Sequence, residues 1–96
     1  MTVLNYHTSE LIELCRQNDI KSLSVFGSTA RGEASERSDV DLLVEFSKRK
    51  SLLTLVALER KISSVLGKKV DLLTDAALSP YLRNHIKRDL RVIYEA

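Results

Sequence analysis

Two periodicities run along this chain. From Asp39 to Phe46 the period is two: Val40, Leu42, Val44 and Phe46 fall on one face of an extended strand, and Asp39, Asp41, Leu43 and Glu45 on the other. From Leu52 to Leu66 the period is helical, carried by Leu52, Leu55, Val56, Leu58, Ile62, Val65 and Leu66. Ser51 is placed to cap that helix, and Gly67 to end it in the left-handed conformation. Leu11, Ile12, Leu14 and Cys15 predict a shorter helix over Ser9 to Gln17, capped by Thr8 or Ser9 and closed at Asn18-Asp19. Leu23 to Phe26 reads as a strand stopped by Gly27. Ala30 to Ala34 reads as a turn of helix with its N-terminus toward Gly27-Ser28. Lys69 to Thr74 is a third strand. Ser79-Pro80 starts a helix through about Lys87, and Leu90 to Tyr94 is a fourth strand. Helix and strand thus alternate along the chain, which predicts a small α/β domain: a four-stranded sheet with helices packed on it.

Size and composition narrow the picture. Ninety-six residues suit one domain over 1–96. A net charge of +2 is too small to argue for stable nucleic-acid binding. Cys15 is the single cysteine, so an intramolecular disulfide and a cysteine zinc cluster are excluded; its apolar neighbours mark it as a small core residue. No apolar run has the length of a membrane span and the N-terminus lacks signal-peptide character, so a cytoplasmic protein without a membrane partner is expected.

The candidate chemistry lies in one spacing. Gly27-Ser28 is followed, after ten residues, by Asp39-Val40-Asp41. Carboxylates two apart on a strand emerge on one face and repel unless a cation lies between them, and Mg²⁺ favours such ligands together with substrate phosphates. A Gly-Ser turn offers backbone N–H groups to phosphate oxygens. Asp71, on the third strand, converges with the pair if that strand neighbours the second. Two ligating acids and one that accepts a proton from an attacking hydroxyl would complete a two-metal site for phosphoryl or nucleotidyl transfer.

Embedded in GSTARGEASERSDVDLLVEF, this arrangement resembles the minimal nucleotidyltransferases of the DNA polymerase β superfamily. The resemblance runs the length of the chain and is strongest from Val25 to Phe46. It implies a mixed four-stranded sheet of nucleotidyltransferase type. It also implies that Gly27 and Ser28 hold the nucleotide phosphates, and that Asp39, Asp41 and Asp71 bind two Mg²⁺ ions and carry the chemistry. Arg31 matches the arginine that follows the Gly-Ser turn, where it holds the triphosphate or orients the helix. Members of this family act as antitoxins, encoded beside a HEPN-domain ribonuclease toxin whose tyrosine they modify with AMP from ATP. Two other readings stay open: a binding module that neutralises its partner by occlusion, and transfer to RNA or a small molecule.

The remaining polar residues carry weaker readings. Ser38 is a turn or cap residue. Arg37 is either a phosphate contact or an ordinary loop arginine. Lys48-Arg49-Lys50 reads first as a solvated loop, and Arg83, Lys87, Arg88 and Arg91 as a solvated face. His7 and His85 have no ligand partner at metal spacing.

Overall fold

In a computed structural model, residues 8–27, 39–88 and 90–96 are described. The elements are α1 (Thr8–Gln17), β1 (Ile20–Phe26), β2 (Val40–Phe46), α2 (Leu52–Leu66), β3 (Val70–Thr74), a 3₁₀ turn (Asp75–Ala77), α3 (Pro80–Lys87) and β4 (Arg91–Glu95). The four strands form one mixed sheet in the order β3-β2-β1-β4, with β2 and β3 parallel and the other two pairs antiparallel. Thr8 and Ser9 fall in the first turn of α1. β1 begins at Ile20, three residues before the expected start, because exposed Lys21 and half-exposed Ser22 interrupt its apolar pattern while Ile20 is buried.

Local chemistry sets the helix ends. The Ser51 hydroxyl accepts the Thr54 N–H at 3.2 Å, and Gly67 (φ 69°) donates its N–H to the Ser63 carbonyl at 2.8 Å. At α3 the Ser79 hydroxyl accepts the Leu82 N–H at 3.2 Å ahead of Pro80.

Each sheet face has its own core. On the first, Leu23, Val25, Val40, Leu42, Val44, Val70 and Leu72 meet Leu11 and Cys15 of α1 and Leu58, Ile62 and Leu66 of α2. Burying each of these α2 side chains contributes about 1.5–3 kcal/mol. Burial also pushes the Cys15 thiol up to about 11, so it is protonated and inert at neutral pH. On the second face, Phe26, Leu43, Leu73 and Leu90 meet Leu78, just ahead of α3, and Ile86 near the end of that helix. The strand ends near Phe26 are where the two faces and the polar residues come together.

Candidate active site

Strand register assembles the site. Phe26 of β1 is opposite Asp41 of β2, and Asp41 is opposite Asp71 of β3. Side chains opposite one another share a face, so the two carboxylates stand side by side on the face that carries Phe26. Asp39, two residues before Asp41 and exposed, belongs to the same face. The Val40 N–H donates to the Lys69 carbonyl at 2.9 Å and carries the β2–β3 ladder to this end of the sheet.

Asp41 registers the crowding. Its carboxyl is raised above the usual aspartate value, first by partial burial, then by the negative charges of Asp71 and Asp39. Phe26 and Leu43, both in the second core, flank it and help remove water.

Gly27 closes the other side. It lies at φ 74°, in the left-handed region, and a Cβ built on it would stand 2.6 Å from Asp41 Oδ2. A side chain here would therefore strain the backbone and displace a carboxylate oxygen. Glycine is demanded by the turn and again by the close approach of Asp41.

A divalent cation fits this chemistry. Three carboxylates on one face at one sheet end repel one another, and a hard cation removes that repulsion. Among the described residues, no three His, Cys, Asp or Glu side chains are gathered tightly enough to enclose an ion by themselves. Substrate oxygens would have to complete the shell, as is common for Mg²⁺ at phosphate-transfer sites.

Other expected residues separate from this site. Ser28, Arg31, Arg37, Ser38, His7 and the turn expected over Ala30–Ala34 lie outside the described residues. The Lys48–Lys50 run follows the far end of β2, about 20 Å from Asp41 at strand rise. There Lys50 pairs with Asp19 at 2.7 Å. Arg83 is half-buried rather than on a fully solvated face: its guanidinium donates to the Asp75 carbonyl at 3.1 Å and stands 3.4 Å from that carboxylate. Lys87, Arg88 and Arg91 are exposed. His85 stacks on Tyr81, ring centroids 6.2 Å apart. Two surface hollows, of about 400 Å³ beside α1 and about 260 Å³ at the far ends of β2 and β3, are lined by none of Gly27, Asp39, Asp41 and Asp71.

Residues 9–93 match the nucleotidyltransferase domain family, and the chain belongs to it as a minimal nucleotidyltransferase, an enzyme class. Among similar proteins, MJ0435 of Methanocaldococcus jannaschii is 43% identical over 83 residues, covering 86% of this chain and 89% of its own. The protein adenylyltransferase MntA of Thermococcus cleftensis is 37% identical over 89 residues, covering 93% and 87%. A solved complex of a tri-AMPylated Shewanella oneidensis HEPN toxin with an MNT antitoxin superposes with a TM-score of 0.71 at 21% identity, covering 94% of this chain and 71% of that one; it supports the fold. No helix among the described residues is long and apolar enough to cross a membrane.

Proposed function

We propose that this chain is a single-domain cytoplasmic antitoxin that transfers AMP from ATP to a tyrosine hydroxyl of an adjacently encoded HEPN ribonuclease toxin. The observation that carries the chemistry is the row Phe26–Asp41–Asp71, which sets two carboxylates abreast with Asp39 beside them and Gly27 against Asp41. The protein acceptor is supported by the name of the Thermococcus relative and by the AMPylated toxin held by a structural neighbour.

In this reading Asp39 and Asp41 hold Mg²⁺, with Asp71 completing the set. The ions, when bound, neutralise triphosphate charge and polarise the α-phosphoryl group. Gly27 and Ser28 offer backbone N–H groups to the phosphates, and Arg31 adds a cation to them. The acceptor oxygen forms a bond to the α-phosphorus, the bond from that phosphorus to the bridging oxygen breaks, and pyrophosphate leaves. The hydroxyl proton passes to Asp71, which the β2–β3 register sets beside Asp41.

A second reading, neutralisation by occlusion, draws on the exposed apolar side chains Leu52, Leu53 and Val56 of α2 and Tyr81 and Leu82 of α3. One experiment separates the two. The chain is incubated with Mg²⁺ and ATP labelled at the α-phosphate, with and without the HEPN protein encoded beside it, then analysed by gel and mass spectrometry. A gain of AMP on a partner tyrosine, absent with Asp39→Asn/Asp41→Asn, is expected. A stable, protected complex that carries no label would establish occlusion instead.

A further inference from the structure

Among the described residues β3 is an edge strand, paired with β2 and with no strand on its other side. Edge strands leave a row of amides open, yet two amides of β3 are taken by side chains of α2. The Val70 N–H donates to the Ser63 hydroxyl at 3.1 Å, and the Leu72 N–H donates to the Glu59 carboxylate at 3.0 Å. Both bonds are partly buried. Glu59 and Ser63 are one helical turn apart, on a helix anchored by Leu58, Ile62 and Leu66. Alternate amides of a strand point to the same edge, so the two bonds bracket the residue between them. That residue is Asp71.

The placement opposes a specific force. Asp41 and Asp71 stand abreast on neighbouring strands, and their repulsion pushes β3, the outer strand, away from β2. Movement of β3 is the natural way to relieve it, because β2 is held on both sides. We propose that Glu59, assisted by Ser63, is a positioning residue for nucleotidyl transfer: it holds the backbone on either side of Asp71 so that this carboxylate stays in register with Asp41. The inference rests on the reading of Asp71 as the third carboxylate of the site. Glu59 itself touches no reacting atom, and its effect passes through the Leu72 amide.

Four variants of the full chain test this: Glu59→Ala, Glu59→Gln, Ser63→Ala and Leu55→Ala, the last trimming an apolar α2 side chain of the core that makes neither of the two bonds to β3. Three quantities are read: exchange of the Leu72 amide by NMR, Mn²⁺ affinity by electron paramagnetic resonance in the presence of a non-hydrolysable ATP analogue, and kcat and KM for ATP with the HEPN partner. Glu59→Ala should speed Leu72 exchange, weaken Mn²⁺ by about 10-fold as second-layer changes do, and lower kcat while leaving KM for ATP unchanged. Glu59→Gln keeps an acceptor oxygen and should stay within about two-fold of wild type in all three. Ser63→Ala should shift Mn²⁺ affinity in the same direction by less, since its hydroxyl is a neutral acceptor. Leu55→Ala should lower Tm without weakening Mn²⁺. Wild-type Mn²⁺ affinity in Glu59→Ala would overturn the proposal, as would equal losses in Glu59→Gln or in Leu55→Ala. A wild-type chain that binds no Mn²⁺ even with the ATP analogue present would overturn both this proposal and the metal site on which it rests.

Discussion

The two ends of the sheet treat their acids in opposite ways. At the far end, Asp19 pairs with Lys50 at 2.7 Å, Asp75 with Arg83 at 3.4 Å and Glu45 with Lys21 at 3.7 Å. At the near end, Asp41 meets Asp71 and Asp39. The titrations follow: the Lys50 hydrogen bond and charge hold Asp19 below the ordinary aspartate value, whereas burial and two like charges hold Asp41 above it. One end is arranged for the folded state. The other carries an electrostatic cost that a cation and a triphosphate would lift, which is how a binding site differs from a well-compensated surface.

Removing the near-end charges gives the largest expected effect. Asp39→Asn with Asp41→Asn should lower AMP transfer by about 10²–10³-fold or more, read by label on the partner, because neutral amides replace anionic ligands. The two left-handed glycines come next. Gly27→Ala should cost about 1–2 kcal/mol from backbone conformation alone, more from the clash with Asp41, and should remove most activity. Gly67→Ala, where nothing lies within 4 Å of the added Cβ, should cost about the same conformational 1–2 kcal/mol in a denaturant titration and leave activity unchanged. Equal activities for the two would contradict the close fit of Gly27 to Asp41.

Asp41→Asn alone should stabilise the metal-free chain. A carboxyl raised by folding contributes stability that is present at acid pH and is lost as pH rises through its folded value. Its neutral replacement therefore gains most at neutral pH. Solvent screening keeps the gain small, a modest rise in Tm that fades as the pH is lowered. The far end reverses the sign. Asp19, lowered by Lys50, contributes stability above its unfolded value of 3.8 that is lost as pH falls through the folded one. Lys50→Met should thus lower Tm slightly at pH 7, should match wild type in strong acid, and should leave transfer untouched. A loss of transfer in Lys50→Met would erase the distinction between the two ends.

Much of this was legible in the residues. The period-two run from Asp39 to Phe46, the helical run from Leu52 to Leu66 and the Ser51, Gly67 and Ser79-Pro80 signals each prescribe one local structure, and each formed where expected, the strand starting one residue in, at Val40. The convergence of Asp41 and Asp71 required only that β3 neighbour β2, and the parallel pairing brings them to one level. What could not be read was tertiary. Ile20 is separated from Leu23 by two polar residues, so its place in β1 depends on pairing with Phe46 across the sheet. Arg83 looks like any helix-face arginine until the 3₁₀ turn brings Asp75 to it. Glu59 sits among Leu58, Arg60 and Lys61 as an ordinary polar helix position, and only the packed α2–β3 edge reveals its bond to Leu72. Ser28 and Arg31 lie outside the described residues.

On the proposed function, the carboxylates of Asp39, Asp41 and Asp71 are crowded for the sake of a divalent cation. Carboxyl-carbon NMR of Asp41 across an acid titration, with and without Mg²⁺ and a non-hydrolysable ATP analogue, measures this crowding directly. Expected are a raised Asp41 value in the free chain, a lower one in Asp71→Asn, and a fall well below the ordinary aspartate range when Mg²⁺ and nucleotide are present. An Asp41 that titrates at the ordinary value and ignores both Asp71→Asn and Mg²⁺ would contradict that function.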